Sequence, residues 1–473
     1  MSAPAASESS VQSLPVAETV SEPVATPQPE PQPQGQYASF ATTVSPGQRL
    51  VSLDAYRGFI MLAMASGGLA IPQVVKAMAK QNPDGEVPAI WQFLAFHTDH
   101  VPWIGCGFWD LIQPAFMFMV GVALPYSYAA RKAKGASEKN IYAHVVFRSL
   151  LLILLGIFLS SNWSKLTNFT FVNVLTQIGM GYLFVHIFVN RGLLIQSAAL
   201  AVILVGYWAF FYFHALPPEG FDYRTVGLPP TWELLDGTFA HWNKNVNAAA
   251  SFDQWFLNLF PYNERVNGLT KVKMTEFVYN DGGYQTLNFI PSMATMLLGL
   301  MAGELLRSVQ YTNIEKLIRL IAAGFFCLVG GMVLGEFVCP VVKRIWTPTW
   351  VLYSTAFTFW MLAAFYLVID MGGWKKWAWP LVVVGMNSIA IYVMAQLMKG
   401  WIVSGWKIHT GYLYTDAVNY ALEREWLGAD WKASFGTTLF GGLYGPIVES
   451  VAVVLVLWLI CVWMYRQKIF VKI

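Results

Sequence analysis

The chain has 473 residues, of which 56% are hydrophobic and 12% charged, against about 25% charged in soluble domains. So little charge cannot cover a surface that faces water, whereas a surface that faces lipid has no need of it. The net charge is only +3 and no basic cluster interleaves with aromatics, so nucleic acid is not an expected partner.

Residues 1–48, with runs such as VATPQPEPQPQGQ, lack the apolar content to bury anything and are predicted to be a disordered tail. No Lys or Arg precedes Arg49, so the start lacks the charged n-region of a cleavable signal, and the first apolar segment is expected to insert by itself. Residues 49–473 then read as one all-α domain, a polytopic transmembrane bundle of about ten helices. Its apolar segments lie near 53–75, 106–129, 145–161, 171–189, 193–213, 284–306, 317–340, 348–370, 380–398 and 441–465, and the third is the shortest. The 20 tryptophans suit the membrane interface, being apolar bodies with a polar tip.

Lys and Arg gather in alternate short connections: RKAKGASEKN after the second segment, Arg191 after the fourth, and Arg307, Lys316 and Arg319 after the sixth. Lys375 and Lys376 follow the eighth, and Arg466, Lys468 and Lys472 the tenth. The positive-inside rule predicts that this side, with both termini, is cytoplasmic. The loops 76–105, 214–283 and 399–440 then fall outside, with Lys343 and Arg344 as exceptions to the charge pattern.

Ionisable residues inside apolar segments are functional candidates by default. Asp54 and Arg57 share a helix face and read either as a structural ion pair or as a site where Arg57 meets a phosphate. His97, Asp99 and His100, followed by Trp103 and Asp110, join the first outer loop to the second segment. Their spacing does not put three metal ligands on one face, so no metal is expected; an imidazole base oriented by a carboxylate fits better. Gln177, Asn387 and Ser388 read as helix–helix contacts or as substrate contacts, and Lys343, Arg344 and Trp346 as an interface anchor or a substrate site. The cysteines 106, 327, 339 and 461 read as buried thiols, and spacing alone leaves a Cys106–Cys339 bridge open.

The strings RLVSLDAYRGFIML, HVPWIGCGFWDLIQPAFMFMVG, KRIWTPTWVLYSTAF, GMNSIAIYV and KIFVKI, in that order, resemble the heparan-alpha-glucosaminide N-acetyltransferase family, which has bacterial membrane members. The resemblance runs from about Arg49 to Ile473. It implies transfer of acetyl from cytosolic acetyl-coenzyme A to an amino sugar or glycan on the far face, here across a bacterial inner membrane. In the family pattern H-x-x-W-x-G, His100 meets the spacing with Trp103 and Gly105, and His97 does not. Where the family has an Asn at the outer end of the first helix, residues 65–68 read Ala-Ser-Gly-Gly.

The resulting expectation is a membrane-embedded acyltransferase. His100 and Asp110 are its catalytic pair, and Asp54 and Arg57 hold the donor acetyl-coenzyme A. Trp103, Gln177, Lys343, Arg344, Trp346, Asn387 and Ser388 are the substrate contacts. Expected partners are the glycan acceptor and membrane lipid, with a homo-oligomer left open. The competing expectation is a transporter or flippase for an anionic or sugar-linked lipid.

Overall fold

The computed structural model describes residues 50–83, 85–266, 269, 271, 273–423 and 442–471. The tail expected over 1–48 and the 424–440 part of the third outer loop lie outside the described residues. The described chain is a helix bundle, with one two-stranded hairpin pairing Arg265–Val266 with Lys273–Met274.

Its helices are α1 (Val51–Ser66), α2 (Ile71–Gln81), α3 (Ala89–Thr98), α4 (Ile112–Ala133), α5 (Glu138–Ser160), α6 (Val174–His186) and α7 (Leu193–Tyr212). Then come α8 (Ala248–Leu257), α9 (Phe289–Arg307), α10 (Asn313–Phe337), α11 (Pro348–Phe365), α12 (Trp379–Gly385), α13 (Ser388–Glu423) and α14 (Gly445–Arg466). Eight of the helical stretches are long and apolar enough to cross a membrane, and α12 with α13 makes a further span bent by 67°. The chain is thus a multi-pass membrane protein.

Three expectations about length change. The third segment is a full span, because Ser137 caps α5 through the Asn140 amide and starts the helix in polar sequence, seven residues before the apolar run. The short one is the fourth: α6 has 13 residues, about 20 Å of helix against about 30 Å of hydrocarbon. The ninth segment does not stop near 398, since α13 runs on to Glu423.

Helix α1 is held at both ends. The carboxylate of Asp370, just past α11, accepts from the amides of Val51 and Ser52, each at 3.2 Å, where an anion suits a helix N-terminus. At the other end Gly67, Gly68, Leu69 and Ala70 all take positive φ, a left-handed turn that bends the chain from α1 into α2. In between, Gly58 and Gly385 let α1 and α12 touch backbone to backbone; a Cβ on either would strike a carbonyl of the other helix.

The basic connections share one face of the bundle. Glu304 at the end of α9 accepts from the Asn190 amide and the Gln196 side chain, Lys316 donates to the Leu306 carbonyl, and Arg307 lies over the Tyr126 ring. The opposite face carries the loops 99–107, 282–288 and 338–347, laced together by an Ile104–Val342 bridge and by Gly105 N–H to the Val341 carbonyl.

Candidate active site

His100 follows the end of α3. Thr98 returns its hydroxyl to Leu94, and Asp99 accepts from the His100 amide, so the chain turns sharply toward a 3-10 turn at Phe108–Leu111 that opens α4. This turn brings His100 Nδ1 to 2.7 Å from Asp110 Oδ1. From the connection between α10 and α11, 233 residues away in sequence, Lys343 Nζ donates to the same oxygen at 3.1 Å. Asp110 Oδ2 accepts from the amides of Val101 and Gly107 at 3.2 and 3.1 Å. Four donors therefore surround a carboxylate whose side chain is 1% exposed, which is what a buried charge needs.

Two groups compete for Nδ1, since Lys343 Nζ also lies 3.0 Å from it. The carboxylate is the shorter contact and accepts only, so Nδ1 carries the proton and donates to Asp110. The other nitrogen, Nε2, keeps its lone pair. The imidazole is 36% exposed, while Lys343 is 4% exposed, so the base faces outward and its two partners lie behind it. Burial drives the Lys343 ammonium below its ordinary value, with the Asp110 charge pulling the other way. Chemically the group is a fixed, oriented base.

Arg344 packs beside this cluster. It donates to the carbonyls of Gly282 at 2.6 Å and Val101 at 3.3 Å and lies over the Tyr284 ring, tying the 338–347 connection and the 282–288 loop to the His100 turn. Trp103 donates its indole N–H to the Trp242 carbonyl at 3.1 Å and meets Trp232 edge-on, while Lys244 sits over Trp232. These aromatics come from the 214–283 region, which thus packs against the His100 loop.

The other sequence candidates make contacts of their own. Gln177 is buried and spends its amide on the carbonyls of Phe171 and Thr286, fastening α6 to α9. Trp346 is buried and points its N–H at Thr295. Asn387, at the bend between α12 and α13, donates to the Ile469 carbonyl and accepts from the Val471 amide. Ser388 is half-buried at the start of α13. Arg57 lies 3.7 Å from Asp54 at the α1 end that Asp370 caps. His97 accepts from the Phe108 amide and so braces the loop.

One link escapes the sequence. Two residues beyond Arg57, the Phe59 ring lies 6.3 Å from that of Phe108, which is two residues before Asp110. Together with Ile60, Ala63, Leu111, Ile112, Ala115 and Met361 they line a narrow apolar cleft between α1, α4 and α11. Nothing in local sequence pairs these helices; only the packing does.

No family model matches the chain. It is 25% identical over 350 residues to heparan-alpha-glucosaminide N-acetyltransferase of Mus musculus, an overlap of 66% of this chain and 51% of that protein. It is also 25% identical over 406 residues to the Homo sapiens protein of the same name, 76% of this chain and 54% of that one. The chain spans about half the length of the curated relatives it matches. These matches make it a distant relative of the heparan-alpha-glucosaminide N-acetyltransferases.

Proposed function

We propose that the chain is a membrane-embedded acyltransferase that moves an acetyl group from acetyl-coenzyme A to an amine or hydroxyl of a sugar or glycan. The observation that carries this reading is the His100–Asp110–Lys343 cluster, with a 2.7 Å contact between Nδ1 and Asp110 on an imidazole that is 36% exposed. The relatives' name supplies the class of group transferred.

The acceptor nitrogen or oxygen attacks the acetyl carbonyl carbon as Nε2 removes its proton. Collapse of the tetrahedral intermediate breaks the carbon–sulfur bond, and the imidazolium returns the proton to the departing thiolate. Asp110 stabilises the imidazolium while it exists, and Lys343 keeps Asp110 from moving. The donor enters from the basic, cytoplasmic face with its phosphates toward Arg57, and its uncharged pantetheine arm follows the Phe59–Phe108 cleft toward His100. The acceptor is held at the opposite, periplasmic face under Trp103 and Arg344, and both termini are cytoplasmic.

Purified protein incubated with acetyl-labelled coenzyme A and a panel of amino sugars and lipid-linked glycans tests this. Labelled acceptor with release of free coenzyme A is expected. Bound lipid or sugar with no consumption of the thioester on any acceptor would overturn it in favour of transport.

A further inference from the structure

A second cleft lies on the basic face, between the end of α4, the start of α5 and the end of α6. Arg131, His144 and His186 line it, and Arg148 borders it through Tyr182: its Nη1 donates to the Tyr182 hydroxyl at 3.1 Å and its guanidinium carbon lies 4.6 Å from the ring centre. Arg131 abuts His144 Nε2, a contact that a protonated imidazole could not make. The carboxylate beside the cleft, Glu138, is occupied by Lys132 and the Tyr128 hydroxyl. Arg148 Nε and His186 Nδ1 are buried with no hydrogen-bond partner. Buried polar groups are otherwise almost always satisfied, and a guanidinium fork matches the oxygens of a phosphate.

We infer that this cleft binds a phosphate ester, with Arg131 and Arg148 as its two forks. The two sources of such a group at this face are a soluble nucleotide and the headgroup of an anionic phospholipid. The inference goes beyond acyl transfer and concerns a different end of α4, so its test reads binding alone.

The full chain, purified in detergent, is titrated with adenosine 3′,5′-bisphosphate. It is also reconstituted in nanodiscs of phosphatidylcholine with and without phosphatidylglycerol, and co-purifying lipid is counted by mass spectrometry. Arg131→Gln with Arg148→Gln is compared with the parent, and Lys139→Gln, an exposed cation on the same face, controls for loss of charge. The double variant is expected to bind at least tenfold more weakly to one probe, and the control to match the parent. Loss confined to the nucleotide assigns the site to a soluble ligand, and loss confined to phosphatidylglycerol assigns it to lipid. Equal binding of both probes by parent and double variant overturns the inference, as does an equal loss in Lys139→Gln. If the double variant does not purify, Arg131→Gln alone takes its place, with about a threefold loss expected and no loss overturning the inference.

Discussion

The two ends of α4 handle charge in opposite ways. At Asp110 the carboxylate, the ammonium of Lys343 and the imidazole of His100 meet within about 3 Å, and both carboxylate oxygens are bonded. At Arg131, basic groups from three helices converge and the bordering carboxylate is already taken. The first arrangement is satisfied within the chain, and in the proposed mechanism it holds a base in one orientation. The second is where the inferred phosphate would supply a counter-charge. Burial by itself marks neither role; the balance of charge distinguishes them.

The largest test of that contrast is His100→Ala. It is expected to lower acetyl transfer by about 10²–10⁴ while donor binding and expression persist, because Asp110 keeps Lys343. His97→Ala, which removes only an acceptor for the Phe108 amide, should retain most activity. Full activity of His100→Ala in the labelled-acetyl assay would place the chemistry elsewhere.

Next in size is a pair of stability measurements. Lys343→Met strips the counter-ion from a buried carboxylate and is expected to destabilise by about 3–5 kcal/mol. Arg148→Met removes a cation that bonds the Tyr182 hydroxyl and lies over its ring, so its cost should be about 1 kcal/mol, as for most point changes. Equal losses in apparent Tm would erase the difference between the two ends.

Asp253 sharpens the comparison as a buried acid held by hydrogen bonds alone. It lies in α8, accepts from the Thr286 amide at 2.8 Å, and burial pushes it up to about 7 from an ordinary 3.8. The folded chain therefore keeps this proton up to about pH 7, while the unfolded chain releases it near pH 4. Its contribution is full below the lower value and is lost as pH rises through the upper one. Apparent Tm followed from pH 5 to 8 should fall, and Asp253→Asn should flatten that slope. A parallel slope in the variant would assign the fall to other groups.

The smallest effect belongs to buried Asp54 and partly exposed Arg57, 3.7 Å apart. Asp54→Asn with Arg57→Gln should change stability by less than about 1 kcal/mol yet weaken coenzyme A binding. Unchanged binding would leave Arg57 a structural group.

Much of the bundle is legible in the sequence, because crossing lipid demands long apolar runs whatever their neighbours. The misjudged ends of α5 and α13 are places where hydropathy and helicity part: each helix runs beyond its most apolar stretch. Within the site, the ten residues from His100 to Asp110 include breakers that let a turn bring the two together, a relation that spacing can suggest. Lys343 shows the limit. Its charge reads as an interface anchor or a substrate contact, and nothing local says that it reaches a carboxylate 233 positions away. The same holds for Phe59 and Phe108, which meet only because α1 and α4 pack side by side.

The amide of Asn387 has a consequence for how the protein is made. Its partners, Ile469 and Val471, lie 82 and 84 positions further along the chain. At about 5–20 residues per second, the ribosome needs roughly 4–17 s after making Asn387 before either partner exists. Throughout that interval the Asn387 amide at the kink between α12 and α13 waits for partners that have not yet been made. Docking of the segment after α14 supplies both partners, so the kink in the middle of one span is completed by residues that follow another.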